Sequence, residues 1–125
     1  MELDVFPSLK FIQHSHTTLK DLELKGWAKL NSLPAEIQHF TALETLLISG
    51  FGGIETLPEW LGNLSSLKKL YIEKCNNLMY LPTTTTRLIK LEELEIFSCY
   101  KLKERCAKGG GAEWLKIAHI PKIIM

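Results

Sequence analysis

The sequence predicts an α/β solenoid with a curved parallel β-sheet on its concave side and irregular or short helical return arms. Three observations predict this fold. The pattern L-x-x-L-x-[LI] recurs with a period of 24 residues, two further apolar columns keep that period, and Leu-Pro follows at a constant place in three repeats. Independent columns that agree over several turns indicate an internal structural repeat. The first pattern lies at Leu19/Leu22/Leu24, Leu43/Leu46/Ile48, Leu67/Leu70/Ile72 and Leu91/Leu94/Ile96.

Each L-x-[LI] segment predicts a short strand, because alternate apolar residues give a strand one buried face. A return path of constant length places each strand parallel to the previous one, so we expect strands near 22–24, 46–48, 70–72 and 94–96. One repeat cannot bury its leucines alone, whereas stacked repeats share a continuous core. Residues of alternating charge precede these strands, and we expect the pairs between neighbouring strands to stabilise the sheet weakly. They are Lys20, Glu44, Lys68 and Glu92.

The return arms are marked by proline and by the other two columns. Proline lacks an N–H and cannot join a ladder, so each Leu-Pro indicates an arm outside the sheet. In the third arm, Thr83 to Thr86 replace the apolar pattern, and we expect that arm to be irregular and to lie on the surface. The columns are Leu30, Ile54, Leu78 and Leu102, and Phe40, Leu64 and Leu88.

The repeat pattern divides the chain into three parts. Residues 19–102 carry leucine-rich repeats of 24 residues. Residues 1–18 break the period, and we interpret them as an irregular N-terminal segment or a contracted repeat. Residues 103–125 are expected to be a cap, in which Trp114, Ile117 and Ile120 cover the core edge of the last repeat.

The composition of the chain argues against nucleic acid and membrane as binding partners. A formal charge of +1 gives no strong field to attract nucleic acid, and the apolar runs are too short for a membrane span. The first residues lack a basic region followed by an apolar stretch, which favours a cytoplasmic location. We therefore expect a protein partner.

The chain offers little for catalysis. Cys75 and Cys99 occupy one repeat position and are expected to be buried neighbours bonded to the local turn backbone. A zinc site with Cys106 and His119 is the alternative, but the usual C-x₂₋₄-C spacing is absent. Nothing singles out a cysteine with a lowered pKa. We predict no enzyme activity, no catalytic residues, no metal and no cofactor.

Strand positions that alternate with the buried leucines face the concave surface. Apolar and aromatic residues there, ringed by charge, fit an interaction hot spot, although isolated exposed apolar residues are also ordinary surface. Glu23, Leu47, Tyr71 and Glu95 are predicted to form one column, with Phe97 diagonal to Tyr71. The candidate protein-binding residues are Glu23, Leu47, Lys69, Tyr71, Glu73, Glu95 and Phe97.

Three segments resemble a known family. The repeats with Cys75 or Cys99 after the strand, and LPEWLGNL at residues 57–64, resemble the leucine-rich repeats of plant intracellular immune receptors of the nucleotide-binding class. The ending, CYKLKERC at residues 99–106 and EWLKIAHIP at 113–121, resembles the C-terminal region of the coiled-coil subclass of these disease resistance proteins. The resemblance covers nearly all of residues 19–125.

This resemblance implies a module for defence that holds a nucleotide switch inactive and helps to recognise pathogen effectors or guarded host proteins. The implied partners are the receptor's own nucleotide-binding module, an effector or a guarded protein. No G-x-x-x-x-G-K-[ST] motif occurs, so ADP or ATP binding is not carried over. The short array also fits a truncated fragment of a longer receptor. A free-standing adaptor that binds an unrelated protein is the alternative.

Overall fold

The computed structural model describes residues 2–4, 18–29 and 31–125. Within these residues, six parallel strands follow one another in chain order across a single open sheet. The strands β2 to β5 lie where the leucine pattern predicts them, so the solenoid prediction is confirmed. The strands are β1 (Glu2–Asp4), β2 (Asp21–Lys25), β3 (Thr45–Ser49), β4 (Lys69–Glu73), β5 (Glu93–Phe97) and β6 (Lys122–Ile124).

The core is built from columns of equivalent residues. The register joins Leu22 to Leu46, and Leu46 to Leu70, so each strand step from β2 to β5 equals one 24-residue repeat. These leucines are almost fully buried, as are the residues two positions further along each strand. Each of β2 to β5 thus turns one face to the core and the other to the concave surface.

Each of β3, β4 and β5 is followed by a residue with a positive φ angle. Gly50, Lys74 and Ser98 adopt φ values of 80°, 56° and 54°. This left-handed conformation turns the chain out of the sheet at the same place in each coil. Glycine adopts it without a steric penalty, whereas Lys74 and Ser98, both exposed, adopt it at a small cost, and the Lys74 N–H donates a hydrogen bond of 3.0 Å to the Phe97 carbonyl.

The return arms contain short 3₁₀ helices at Ala35–His39, Glu59–Asn63 and Thr83–Arg87. A proline directly precedes each helix and adopts φ between −62° and −69°, the range that its ring imposes. The third residue of each helix is buried. These residues are Ile37, Leu61 and Thr85.

The third return arm differs from the prediction. The segment expected to be irregular and on the surface is a 3₁₀ helix, and Thr85 is buried in it. The Thr85 hydroxyl donates a hydrogen bond of 2.8 Å to the carbonyl of Pro82, so the buried polar group is satisfied. Threonine can replace an apolar residue here because the backbone of its own arm supplies the acceptor.

Glu59 joins the second return arm to the third. Its carboxylate accepts hydrogen bonds from the N–H groups of Thr83 (3.0 Å) and Thr84 (3.2 Å) and from the Thr83 hydroxyl (2.9 Å). The Thr84 hydroxyl donates to the Glu59 carbonyl at 2.6 Å. These N–H groups begin a helix and lack partners within it, so a side chain from one repeat caps the helix of the next. The bonds to Thr83 and Thr84 lower the pKa of Glu59.

The N-terminal segment contains a strand where irregular structure was one of the two expectations. Glu2–Asp4 pair in parallel with β2, and Glu2 lies opposite Glu23. Residues 2–4 thus have regular structure, while the interpretation of the whole segment 1–18 stays a prediction. The offset of 21 residues is shorter than the 24-residue period, as a contracted repeat requires. Residues 5–17, and Leu30 of the second column, lie outside the described residues.

The C-terminal segment covers the last repeat with two short helices and a strand. Helix α1 spans Tyr100–Arg105, helix α2 spans Trp114–Ile117, and β6 pairs in parallel with β5. Ile117 and Ile120 are buried, and Trp114 packs against the core, as the sequence predicts for a cap. The leucine pattern did not predict β6, which occupies the sheet edge that β5 otherwise leaves open.

A buried carboxylate ties the cap to the third repeat. The side chain of Glu113 is 4% exposed, accepts the Leu81 N–H at 3.0 Å, and lies 2.6 Å from the Lys116 ammonium. Lys116 also donates to the Leu81 carbonyl at 2.8 Å, and a guanidinium nitrogen of Arg105 lies 3.8 Å from Glu113. A buried charge is costly without partners, and the contacts of this cluster supply Glu113 with partners from both the cap and Leu81.

A substitution at Gly62 tests whether neighbouring return arms pack closely at this position. A Cβ at this position would overlap the Thr84 side chain and carbonyl, so the Gly62→Ala variant must push the two helices apart. We expect it to reduce the free energy of unfolding by about 1–3 kcal/mol. Among the described residues, no atom lies within 4 Å of the place that a Cβ at Gly110 would occupy. Gly110→Ala is therefore the matched control, with a change within about 0.5 kcal/mol. Urea denaturation measures both, and equal midpoints would contradict the close-packing argument.

Two residues of α2 test the cap. Ile117 is fully buried and Leu115 is 83% exposed, although both are branched aliphatic residues of one helix. Replacement of Ile117 by alanine should cost about 2–5 kcal/mol, because it removes buried methyl groups and leaves a cavity. Leu115→Ala should leave the thermal midpoint nearly unchanged. A similar effect of the two variants in calorimetry would show that the cap does not seal the core.

Candidate functional site

The concave face carries the side chains that alternate with the core residues of β2 to β5. We call Glu23, Leu47, Tyr71 and Glu95 the central column. The strand register places these four residues directly opposite one another in adjacent strands, as the sequence predicts. All four are partly exposed, so the column is open to solvent along its length.

The remaining candidate residues flank the central column. Lys69 lies beside it, between Thr45 and Glu93 in the register, and is exposed. Glu73 and Phe97 are opposite each other at the C-terminal ends of β4 and β5, which places Phe97 diagonal to Tyr71. Phe97 is 45% exposed, an unusually large exposure for a phenylalanine side chain. The predicted arrangement of the seven residues is therefore confirmed, whereas their role in binding stays a prediction.

The Tyr71 ring is held by a chain of polar contacts that ends in β6. The Tyr71 hydroxyl donates a hydrogen bond of 2.9 Å to Glu93, and the Lys122 ammonium lies 3.1 Å from the other oxygen of the same carboxylate. The hydrogen bonds from Lys122 and Tyr71 lower the pKa of Glu93. Because Lys122 belongs to the cap, the cap helps to position an aromatic residue in the middle of the sheet.

Sequence reasoning missed the roles of Glu93 and Lys122. Glu93 faces the same side of the sheet as Tyr71 but carries no apolar surface that would mark it as a binding residue. Lys122 lies after the last repeat, where the 24-residue period gives no information about position. The apolar pair Ile123–Ile124 after Pro121 is the one strand signal near Lys122, and it is too short to predict the pairing with β5.

Other polar contacts order the margins of the face. The Ser49 hydroxyl donates to Glu73 at 2.9 Å, which orients the carboxylate next to the strand of Phe97. Before the strands, Glu44 lies 4.0 Å from Lys20 and 3.6 Å from Lys68, as expected from the alternating charges. These side chains are substantially exposed, so each pair contributes at most a few tenths of a kcal/mol, about the value for surface ion pairs.

The two cysteines of the repeat are buried neighbours, as the sequence predicts. The Cys75 N–H donates to the sulfur of Cys99 at 3.4 Å, and each thiol donates to the carbonyl two residues before it at 3.3 Å. The hydrogen bond with Cys99 and burial raise the pKa of the Cys75 thiol. These thiols satisfy the turn backbone after β4 and β5.

Cys106 lies apart from this pair and is also buried. Burial and the nearby Glu113 carboxylate raise the pKa of Cys106 to about 11, which disfavours a thiolate at neutral pH. Within the part of the chain that the structure describes, histidines, cysteines and carboxylates form no group of three arranged to hold a metal ion. In the same residues, every helix is too short to cross a membrane.

The ionisation of Tyr71 tests the contacts on the concave face. Desolvation, the hydrogen bond to Glu93 and the Glu93 charge raise the pKa of Tyr71 to about 12. Glu93→Gln removes a negative charge beside the phenol, so the phenolate forms more easily and the pKa should fall. A background with Tyr80→Phe and Tyr100→Phe leaves one tyrosine, whose ionisation is followed by ultraviolet absorbance while circular dichroism reports folding. Glu55→Gln is the control, and an equal pKa in both variants would contradict the contact.

The comparison with known proteins agrees with this architecture. The family described as leucine-rich repeat region matches residues 6–109, which include β2 to β5, their return arms and α1. No curated protein sequence matches the chain. Leucine-rich repeats are repeat modules that present a preformed sheet surface to other proteins. Because the match covers most of the chain and coincides with the stacked strands, this protein belongs to the leucine-rich repeat family.

Proposed function

We propose that this chain is the protein-binding module of a plant intracellular immune receptor of the nucleotide-binding class. In that role it recognises a pathogen effector or a guarded host protein and holds the receptor's nucleotide-binding module inactive. The proposal places the protein in the cytoplasm and gives it no catalytic step. It joins the observed repeat fold with the resemblance of residues 57–64, 99–106 and 113–121 to these receptors.

The observation that carries the proposal is the preformed aromatic and apolar surface on the concave face. Leu47 and Tyr71 are opposite each other on β3 and β4, and Phe97 stands diagonal to Tyr71 on β5. The buried leucine columns hold the strands that carry these residues in register. Rigid rings on a fixed backbone lose little entropy when a partner binds, so more of the contact energy appears as affinity.

The polar surroundings of these residues fit the same role. Tyr71 is already oriented by Glu93, and Glu73 is already oriented by Ser49. A partner therefore meets ordered side chains and need not arrange them on contact. Charged groups around an apolar centre also steer the encounter and discriminate between partners.

The double variant Tyr71→Ala/Phe97→Ala tests this assignment. It is co-expressed in leaf tissue with the nucleotide-binding module of a coiled-coil receptor as a separate chain, and co-precipitation is measured. We expect association to weaken by about 2 kcal/mol or more, because the two anchors would be lost. Circular dichroism checks that the variant is folded.

The matched control replaces two other large apolar residues that are 83% exposed outside the strands, Ile89 and Leu115. Ile89→Ala/Leu115→Ala should co-precipitate like the unchanged chain. Equal association of the two double variants would contradict binding through the concave face. A chain that fails to bind any such module but binds another protein through Tyr71 and Phe97 would instead be an adaptor.

A further inference from the structure

The central column has two carboxylates that flank its apolar pair. Glu23 precedes Leu47 in the register, and Glu95 follows Tyr71. Among the described residues, neither Glu23 nor Glu95 has a hydrogen-bond or ion-pair partner, in contrast to Glu93 and Glu73. The column therefore reads acidic, apolar, aromatic and acidic across four adjacent strands.

The charge around the column favours a cationic partner. The outward positions of β2 to β6 carry more carboxylates than ammonium groups, and Lys122 is already paired with Glu93 at 3.1 Å. Lys69 also interacts with Glu93, which it stabilises as a carboxylate. Lys69 and Lys122 thus both act on Glu93, and among the described residues no cation pairs with Glu23 or Glu95. The acidic residues are Asp21, Glu23, Glu73, Glu93 and Glu95, and the basic residues are Lys25, Lys69 and Lys122.

The spacing of the two carboxylates matches an extended peptide. Adjacent strands are about 4.8 Å apart, so Glu23 and Glu95 lie about 14 Å apart across three strand steps. An extended chain rises about 3.3 Å per residue and shows alternate side chains on one side, so residues i, i+2 and i+4 face the sheet over about 13 Å. An α-helix covers about 12 Å of this length with side chains spaced four residues apart, at i, i+4 and i+8, so a helical partner would need a different sequence spacing.

We propose that the central column binds an extended segment of a partner protein with the pattern cation, any residue, apolar residue, any residue, cation. The segment crosses the strands, its two lysine or arginine side chains pair with Glu23 and Glu95, and its central apolar side chain lies against Leu47 and Tyr71. This inference rests on the proposed function, because it names the chemistry of the partner that the concave face recognises.

The probe is a short synthetic peptide, blocked at both ends, with the core lysine-threonine-leucine-threonine-lysine between serines. Nuclear magnetic resonance titration of the isotope-labelled chain measures its dissociation constant and maps the amide shifts. We expect shifts centred on Leu47 and Tyr71 and weaker binding as salt is added, since exposed charge pairs are screened. A peptide with the core lysine-lysine-leucine-threonine-threonine has the same composition and charge but the wrong spacing, and it should bind more weakly.

The matched protein variants are Glu23→Gln/Glu95→Gln and Glu36→Gln/Glu104→Gln. The first pair removes the two carboxylates of the central column without a change of shape, and it should weaken binding about tenfold. The second pair removes two exposed carboxylates from a return arm and from α1, and it should leave binding unchanged. Unchanged binding to the first variant, equal binding of both peptides, or no binding of the spaced peptide would each overturn the inference.

The same variants separate this inference from the function on which it rests. Co-precipitation that depends on Tyr71 and Phe97 but not on Glu23 and Glu95 would overturn the basic segment and leave the binding face in place. Co-precipitation that is insensitive to all four residues would overturn the binding face itself. Loss of co-precipitation in both double variants supports the two together.

Discussion

The stacking of leucine columns supports everything else in the molecule. A single coil of 24 residues has too few apolar side chains to enclose a core, so each coil depends on its neighbours for burial. Parallel pairing at a constant offset keeps equivalent residues in contact from strand to strand. Because the inward residues cannot shift without exposing a whole column, the outward residues are held in register as well. The order of the concave face is thus a consequence of the order of the core.

The register of the repeating strands could be predicted, whereas the parts that occur once could be predicted only in outline, as with the burial of Ile117 and Ile120 in the cap. Strands β2 to β5 and the buried cysteine pair follow from positions that recur every 24 residues. Strand β6 and the Glu113 cluster lie beyond the last repeat, where no second copy marks their register. Residue propensity predicts an irregular surface arm for Thr83 to Thr86, because it does not account for the Pro82 carbonyl that accepts a hydrogen bond from the buried Thr85 hydroxyl.

In the candidate site, too, the repeat predicts the positions of residues but not their individual side-chain contacts. Alternation along a strand predicts which residues share the concave face, and the repeat period predicts which of them are opposite each other. Neither pattern predicts that the Tyr71 hydroxyl reaches Glu93 or that Lys122 pairs with the same carboxylate. Those contacts depend on side-chain reach and on the path of the cap. Sequence patterns therefore locate the surface but do not reveal the polar contacts that orient its aromatic residue.

The hydrogen bonds that Glu59 accepts from Thr83 and Thr84 make the stiffness of the solenoid differ along its axis. Ala35 stands one repeat before Glu59, and its methyl group cannot accept the N–H groups that begin the second return helix. The second and third coils are thus linked by side-chain bonds that the first and second coils lack at this position. When the protein is heated or pulled, unfolding should begin at the end of the solenoid that carries β2 and stop at the second and third coils, which Glu59 joins. The difference concerns the return arms, because β2 pairs with β3 over five residues just as β3 pairs with β4, so the concave face keeps its register along its whole length.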